Sequence, residues 1–347
     1  MKIILIIPSL DFTGPAKGIF ALSKLLNNHF KITLISLKQN TLSKFEFPKN
    51  VTLISLEKHN FLNKLLFLRA YCKKNNIGII LSFCFSADII NLLLVKKAKH
   101  ISSIRANLIK NYFCTYSFFG LFLAYFHFFI QNFFSDTIVM NSSMYTQVRK
   151  YSGKKSTIIN NFIDEDELKE FYKKEIDKSK KISYTFIGKL IVRKGIFNLI
   201  KSFRELLNYQ DAELHIIGEG PLKARIKNAI KKSEISNKVI MHGFMESPYS
   251  LLCETDVFVL PSFSEGTSRA SLEALFLGIP LVLRDVDGNR ELVQNNNVLL
   301  FGNDKDLTQA MINQSNYSRE RKYRKNLLPE RYMQKNVLNS YLKLLRN

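Results

Sequence analysis

Two glutamates eight positions apart, Glu265 and Glu273, stand on either side of a run of small polar residues. The run follows the apolar stretch 256–260, a predicted strand, and leads directly into a predicted helix. Free backbone N–H groups and the helix dipole at such a position attract phosphate. The residues at this helix start are Gly266, Thr267 and Ser268. One carboxylate then precedes the helix, beside a reacting group, and the other lies about two turns deeper, where it can accept hydrogen bonds from ligand hydroxyls. The simpler alternative is a helix-start acid and a surface glutamate.

A second predicted strand, loop and helix, at 186–195, carries glycine and lysine. Gly188 permits a close approach of the backbone to a ligand. Lys189 and Lys194 could converge on a diphosphate and neutralise it as a leaving group. Many loops carry these residue types, so this signal is weak when it is taken alone.

Two further glycine turns follow predicted strands. Gly220 lies in the turn 218–221. Gly14 and Lys17 lie in the first strand–helix loop, where the glycine could approach a phosphate from the other domain.

These loops connect short apolar runs that alternate with longer amphipathic stretches, which predicts parallel sheets with helices on both faces. A chain of 347 residues fits two domains of about 150 residues each. We predict an α/β fold with two Rossmann-like, doubly wound domains that face a central cleft, where open α/β sheets bind ligands. The predicted segments are an acceptor domain (1–178), a nucleotide-binding domain (179–328) and a C-terminal helix (329–347) that packs back toward the first domain. The predicted strands lie at 3–7, 31–37, 79–83, 100–105, 137–140, 184–187, 213–217, 238–242, 256–260 and 280–283.

The chain is strongly basic, with 51 Lys and Arg against 29 Asp and Glu, a formal net charge of +22. Residues 1–100 alone hold 15 basic and 4 acidic residues, a net +11. Such an excess favours anionic partners. The four cysteines form no CxxC pair, a pattern typical of free thiols in a reducing compartment.

The segment 111–135 contains no charged residue and is rich in phenylalanine. Its length would suffice to span a bilayer, which takes about 20 apolar residues. Because Asn, His and Gln interrupt it, we favour a helix of the folded domain with an unusually apolar face over a transmembrane helix.

Together these motifs resemble the retaining GT-B glycosyltransferases of family 4, the glycosyl transferases group 1, along nearly the whole chain. Each motif is loose, but five in the right order and spacing are specific. In chain order the family patterns and the segments that resemble them are N-G-x-D at 161–164, where Phe162 replaces the glycine, G-R-L-x-x-x-K-G at 188–195, where Lys189 replaces the arginine, G-x-G-P at 218–221, E-x7-E at 265–273 and L-E-A-x-x-x-G-x-P at 272–280.

The resemblance implies an EC 2.4 transferase that moves a hexosyl or N-acetylhexosaminyl group from a UDP- or GDP-linked sugar, with retention and without a metal or other cofactor. It implies that Lys189 and Lys194 bind the donor diphosphate, and that Glu273 binds the ribose. Glu265 would lie beside the transferred sugar, completing the catalytic set. His242 and Phe244 would border the nucleobase.

Besides Phe162, the sequence departs from the family pattern at three places. The first loop usually has Gly-Gly and then arginine, whereas here it has Thr13-Gly14 and Lys17. Lys189 replaces an arginine, which keeps the charge but loses the bidentate fork. Many members carry a histidine after the fourth strand, where this chain has Arg105, so a catalytic histidine is not carried over.

The D-x-D sequence Asp285-Val286-Asp287 is one that binds manganese in the other glycosyltransferase fold. Here it follows a late strand of a GT-B-like domain, so we predict no metal site. The acidic run 164–166 is interpreted as the start of a helix.

Basic charge and the phenylalanine-rich segment together predict a cytoplasmic protein that is peripheral on the inner face of the cytoplasmic membrane. We expect a polyprenyl-diphosphate-linked or saccharide acceptor, as in the assembly of O-antigen, lipopolysaccharide or capsule. Arg105 and Lys110 would lie near the acceptor's diphosphate.

Three alternatives remain open. One is a glycogen-synthase-like or other GT-B transferase with a soluble acceptor. Another is a nucleic-acid-binding protein, which the charge alone suggests, although the aromatic residues do not interleave with Arg and Lys as a stacking platform would require. The third is a non-catalytic membrane-associated protein, which the presence of both lysines and both glutamates disfavours.

Overall fold

The computed structural model describes residues 1–10, 14–38, 47–95, 97–172, 175 and 181–346. They form two compact units: unit 1 comprises 1–162 with the C-terminal segment from Gln334, and unit 2 comprises Ile163–Met333. Unit 2 thus begins ahead of the predicted boundary at 178, which itself lies outside the described residues. The reason is that Ile163 and Leu168 are fully buried in the core of unit 2. The second predicted boundary, at 328/329, lies before the observed one at 333/334. The reason is that Tyr332 is buried in the core of unit 2.

Within its described residues, unit 1 is built on seven parallel strands in the order β3-β2-β1-β4-β5-β6-β7. The strands are β1 (Lys2–Ile7), β2 (Lys31–Ser36), β3 (Val51–Ser55), β4 (Ile79–Phe83), β5 (Lys99–Ser103), β6 (Asp136–Val139) and β7 (Thr157–Ile158). The helices between them are α1 (Gly14–Leu26), α2 (Phe61–Asn75), α3 (Phe85–Leu92), α4 (Leu108–Ile130) and α5 (Ser142–Ser152).

The central strand β1 is apolar from Ile3 to Ile7 because helices cover both faces of the sheet. Successive side chains of a strand point to opposite faces. Ile3 and Leu5 accordingly pack against α1 on one face, whereas Ile4 and Ile6 pack with α2 and α3 on the other.

Unit 2 repeats this plan with six described parallel strands in the order β10-β9-β8-β11-β12-β13. They are β8 (Ile182–Ile187), β9 (Ala212–Ile217), β10 (Val239–Gly243), β11 (Val257–Leu260), β12 (Leu281–Arg284) and β13 (Val298–Phe301). Its helices are α6 (Glu165–Lys169), α7 (Ile196–Leu206), α8 (Lys223–Lys232), α9 (Tyr249–Leu252), α10 (Arg269–Phe276) and α11 (Leu307–Glu320).

The last helix, α12 (Gln334–Arg346), belongs to unit 1, although it follows unit 2 in the chain. Val337, Tyr341 and Leu345 are buried on the same face of the unit 1 sheet as α1. Lys99 also donates a hydrogen bond to the carbonyl oxygen of Leu344 at 3.0 Å.

The predicted α/β class, with two doubly wound parallel sheets, is confirmed. The strand predictions omitted β3, β7 and β13, which are edge strands of their sheets. β3 is half exposed and contains polar residues, β7 has two residues, and β13 is apolar but only four residues long, so their patterns are weak.

The apolar segment after β5 forms α4, which has a non-helical residue at Ser117. Among the described residues, Leu108–Phe133 is the stretch of helix with enough length and apolar composition to cross a bilayer.

We expect Gly195→Ala to lower the free energy of unfolding by about 2 kcal/mol, because Gly195 has φ +68° and an added Cβ would lie 2.2 Å from the carbonyl oxygen of Pro261. Urea unfolding followed by circular dichroism would measure the change. Gly302→Ala is the matched control, since an added Cβ there would meet no atom within 4 Å. Equal effects of the two substitutions would contradict a strained approach at Gly195.

Candidate active site

The predicted site residues of unit 2 gather at the point where its strand order reverses. Strands β8 and β11 are neighbours at the centre of the sheet, and the chain leaves them toward opposite edges. A doubly wound sheet opens a crevice at the carboxyl ends of such a pair. The loops 188–195 and 261–268 both begin there, directly after β8 and close after β11.

The loop after β8 is held in place by backbone contacts. The Leu190 N–H donates to the carbonyl oxygen of Glu219 at 2.9 Å, which ties the loop to the turn after β9. Gly220 allows this approach, because an added Cβ would lie 2.4 Å from the Leu190 oxygen. An added Cβ at Gly188 would lie 3.3 Å from Cζ of Phe186, which is a tight contact, and 3.6 Å from Cε of Lys194, which is an ordinary one.

The loop after β11 is buried except at Phe263 and ends at the start of α10. Gly266, Thr267 and Ser268 are all buried, and Ser268 is the N-cap, with its hydroxyl accepting from the Ser271 N–H at 3.3 Å. The predicted helix start is therefore correct. The Ser268 hydroxyl is already used by the helix, so a ligand would meet backbone N–H groups here.

The central interaction of the site is a buried carboxylate between two cations. The Lys194 ammonium donates to Oε1 of Glu265, and the Arg193 guanidinium lies 3.7 Å from the same oxygen. Burial opposes ionisation of the Glu265 carboxyl, but Lys194 and Arg193 outweigh it and hold its pKa below the usual range. Glu265 is therefore ionised at neutral pH.

Glu273 lies inside α10 and is buried, so the alternative of a surface glutamate is wrong. Its Oε1 lies 3.7 Å from Nε of Arg269, one helical turn earlier. The spacing of the two glutamates thus places one carboxylate before the helix and one within it, as the sequence predicts.

Arg284 supports the loop after β11 from the neighbouring strand. Its Nε donates to the Pro261 carbonyl oxygen at 3.2 Å, and it forms an ion pair with Asp304. The guanidinium also stacks on two aromatic rings, at 4.6 Å from the centroid of Phe263 and 4.9 Å from that of Phe301. These contacts hold the loop that carries Glu265.

His242 lies at the end of β10 next to a second histidine. Its Nε2 lies 2.9 Å from Nδ1 of His215, whose other nitrogen lies 3.0 Å from a carboxylate oxygen of Glu213. Burial and the neighbouring His215 lower the pKa of His242, which makes the ring neutral at pH 7. Phe244, two residues on, is 45% exposed and offers an aromatic face to a ligand.

The two predicted phosphate lysines differ in their surroundings. Lys194 is mostly buried and paired with Glu265, whereas Lys189 is exposed. Arg193, which was not among the predicted site residues, contacts Glu265 instead and also donates to the Ser264 carbonyl oxygen. Its position directly before Lys194 was the available signal.

The remaining predicted residues lie in unit 1. Gly14 is the first residue of α1, and an added Cβ would meet no atom within 4 Å, so packing does not require glycine there. Lys17 lies in the first turn of the same helix. Arg105 follows β5 and donates to Oδ1 of Asn161 at 2.9 Å, while Lys110 is exposed in the first turn of α4.

The carboxylates of the D-x-D sequence have protein partners. Asp285 forms an ion pair with Arg290, and Asp287 accepts from the Ser264 hydroxyl at 3.3 Å. Within the described ranges, no group of three or more His, Cys, Asp or Glu is arranged to hold a metal ion. The absence of a metal requirement stays a prediction.

Unit 1 contains a buried polar cluster that the sequence did not suggest. Asp88 and His127 are both buried, and His127 Nε2 lies 2.8 Å from Oδ2 of Asp88. The two residues are 39 positions apart, so no local motif could have linked them.

Residues 166–327 match the family model of the glycosyl transferases group 1. A curated relative from Campylobacter jejuni, named as an N-acetylgalactosamine-N,N'-diacetylbacillosaminyl-diphospho-undecaprenol 4-alpha-N-acetylgalactosaminyltransferase, is 31% identical over 142 residues, which is 41% of this chain and 38% of that protein. Alignments with the first five curated relatives span only 29% to 43% of their length.

Solved structures resemble the whole chain at low sequence identity. Sucrose-phosphate synthase from Thermosynechococcus elongatus has a TM-score of 0.81 and 14% identity, covering 100% of this chain and 98% of that one. Anabaena HepE in complex with UDP-glucose has a TM-score of 0.79 and 14% identity, covering 100% of both chains. The predicted GT-B fold is confirmed by this likeness. The chain carries, at residues 166–327, a glycosyl transferases group 1 domain.

Proposed function

We propose that this chain is a retaining glycosyltransferase that moves a hexosyl or N-acetylhexosaminyl group from a UDP- or GDP-linked sugar to a lipid-linked or saccharide acceptor. The reaction would serve the assembly of a bacterial surface polysaccharide, such as O-antigen, lipopolysaccharide or capsule. The enzyme would work as a peripheral protein on the inner face of the cytoplasmic membrane.

The observation that carries this proposal is the ionised, buried Glu265 between Lys194 and Arg193, at the strand-order reversal of unit 2. Burying a carboxylate and two cations costs desolvation free energy. The presence of this group at the crevice therefore favours a functional role. The cations suit a diphosphate, and the carboxylate suits the hydroxyl groups and developing positive charge of a sugar.

In the proposed reaction, the bond from the anomeric carbon to the donor diphosphate breaks while the acceptor's hydroxyl oxygen bonds to that carbon, and the hydroxyl proton passes to the departing diphosphate oxygen. Lys194 and Arg193 neutralise the charge that grows on the diphosphate, together with the N–H groups at the start of α10. Lys189, which is exposed, would add long-range attraction for the donor. Glu273 would accept hydrogen bonds from the ribose, and the neutral His242 and Phe244 would lie against the uncharged base.

Two comparisons support the donor and acceptor classes. The Campylobacter jejuni relative is named for a diphospho-undecaprenol-linked acceptor, and the HepE structure contains UDP-glucose. A basic first hundred residues and the exposed aromatic surface of α4 support membrane attachment. Arg105 and Lys110 would meet an acceptor's diphosphate.

A thermal-shift screen of nucleotide sugars, followed by transfer assays with the responding donor, tests the proposed function. A donor at 100 times its dissociation constant adds about 2.7 kcal/mol of stability. If no nucleotide sugar stabilises the chain and none is turned over, the proposal is wrong. A shift with RNA in place of a nucleotide sugar would favour the nucleic-acid-binding alternative.

Lys194→Met should reduce transfer by about 100-fold, because a charge at the departing diphosphate is lost. Initial rates of transfer measure this.

Removing the Lys194 ammonium should also raise the pKa of Glu265. In the unsubstituted chain that low pKa contributes stability that is present above the unfolded pKa of glutamate and is lost as pH falls through the folded one. The substitution should therefore shrink the loss of stability on acidification, as measured by urea unfolding between pH 7 and pH 3. The control is Lys189→Met, which should preserve this pH dependence because Lys189 is exposed.

Glu265→Gln and Glu273→Gln should have opposite effects. The first removes the charge beside the transferred sugar, so turnover should fall by about 100-fold while nucleotide affinity stays near normal. The second weakens a charged hydrogen bond to the ribose, so nucleotide affinity should fall by about tenfold. Isothermal titration with the nucleotide, beside initial rates, separates the two, and the reverse pattern would exchange the assigned roles.

Activity should persist in EDTA, because Lys194, Arg193 and a helix start supply the positive charge that manganese supplies elsewhere. Initial rates with and without chelator measure this. Complete loss that manganese restores would instead assign Asp285 and Asp287 to a metal site.

A further inference from the structure

The helix α4 is a folded-back hairpin and not a straight rod. Ser117 has φ 54° and ψ −138°, which interrupts the helix. An added Cβ at Gly120 would lie 2.1 Å from the Tyr112 carbonyl oxygen. Residues eight apart in a straight helix are separated by about 12 Å, so the chain must turn back here. The two arms of this hairpin are 108–116 and 118–130.

Each arm of the hairpin is too short to cross a membrane. At 1.5 Å per residue the arms measure about 14 Å and about 20 Å. The hydrocarbon core of a bilayer is about 30 Å thick. The apolar composition of this segment therefore suits entry into a bilayer but not passage through it.

The inner side of the hairpin is fastened to the unit 1 sheet by buried polar groups. A carboxylate only accepts, so His127 Nε2–H donates to Asp88 at 2.8 Å, and Nδ1 then lies 3.0 Å from the Tyr112 hydroxyl on the other arm. Asp88 also accepts from Ser82 at 2.6 Å and Ser102 at 2.8 Å, at the ends of β4 and β5. These bonds join both arms to each other and to the sheet.

The outer side of the hairpin is a continuous aromatic surface. Its residues, together with Phe133 shortly after the second arm, are 40–77% exposed: Phe113, Tyr116, Phe118, Phe119, Phe122, Tyr125, Phe126, Phe129 and Phe133. Ring centroids of Phe113 and Phe118 lie 5.7 Å apart, and those of Phe129 and Phe133 lie 5.4 Å apart. Soluble monomers rarely expose so large an apolar patch, which marks an interaction surface.

Basic residues flank this aromatic surface. Lys110 lies at the start of the first arm. Arg149 and Lys150 lie on α5, whose Tyr151 stacks on Phe128 of the second arm at 5.2 Å. Aromatic rings with lysine and arginine at their margin match the boundary between acyl chains and anionic headgroups. A second copy of the chain is a poorer partner, because two proteins of net charge +22 repel each other.

We propose that the α4 hairpin inserts into one leaflet of an anionic phospholipid bilayer, with its aromatic tip among the acyl chains and without crossing. This inference rests on the membrane attachment in the proposed function. It adds that the α4 hairpin is the attached element and that it reaches into one leaflet only. The buried bonds of Asp88 and His127 hold the inserted hairpin at a fixed position on the carboxyl ends of β4 and β5.

Flotation with vesicles of phosphatidylcholine alone, or with phosphatidylglycerol added, tests binding by the full chain. We expect flotation with the anionic vesicles, and about 1,000-fold weaker binding for Phe118→Ser/Phe119→Ser/Phe122→Ser, since burial of three rings is lost. These side chains are 64–77% exposed, so the variant should fold. The matched control is Tyr209→Ser/Tyr323→Ser, which removes exposed aromatic residues of unit 2 and should bind as the unsubstituted chain does. Equal binding of both variants, or none by the unsubstituted chain, overturns the proposal.

The depth of insertion of the hairpin can be measured by tryptophan fluorescence. The chain contains no tryptophan, so one introduced residue gives the whole signal. Phe122→Trp should shift its emission to the blue on anionic vesicles and be quenched by brominated acyl chains, whereas Tyr209→Trp should not respond. Quenching of Phe122→Trp by iodide trapped inside the vesicles would show a span and overturn single-leaflet insertion. A dimer that forms through the same rings in sedimentation without lipid would also overturn it.

Nucleotide-sugar binding without vesicles separates this inference from the proposed function. The triple serine variant should keep the thermal shift that the donor causes in the unsubstituted chain. Failure of vesicle binding alone refutes the hairpin insertion, and failure of donor binding alone refutes the transferase.

Discussion

The ion pair of Lys194 with Glu265 is the interaction on which the organisation of unit 2 depends. It joins the loop after β8 to the loop after β11, so it connects the two halves of a doubly wound sheet where they part. A pair with so little exposure is stable only when further groups compensate its desolvation. Arg193 provides that second charge, and Gly195 lets the loops approach closely enough for the contact. The site therefore combines a tight backbone fit with an electrostatic requirement.

Much of this site could be predicted from the sequence because its parts are local. The spacing of Glu265 and Glu273 follows from helix geometry, and glycine and lysine after an apolar strand indicate a phosphate loop. What escaped prediction depends on contacts between distant segments. Arg193 and Lys189 are both basic residues of one loop, and only the fold decides that Arg193 faces Glu265 while Lys189 faces solvent.

In unit 1, the structure of the segment 111–135 likewise depends on contacts with distant residues that the sequence does not reveal. Its composition predicts one long apolar helix, and Ser117 among many phenylalanines does not by itself predict a turn. The reversal at Ser117 is stabilised by tertiary bonds, above all that of His127 to Asp88, which lies on another helix. Composition alone therefore indicated an apolar surface. Only the tertiary contacts distinguish a short helical hairpin from a single helix long enough to cross a bilayer.

The return of α12 to unit 1 has a consequence for the order of folding during synthesis. Val337, Tyr341 and Leu345 complete one face of a sheet whose central strand β1 is made before any residue of unit 2. The intervening residues 163–333 form a separate unit, which at about 5–20 residues per second takes the ribosome roughly 10–30 s to produce. Throughout that interval the apolar surface of β1 and α1 lacks its last covering helix, so the nascent N-terminal half is a natural client for chaperones. Synthesis of unit 1 thus starts before that of unit 2 and is completed after it.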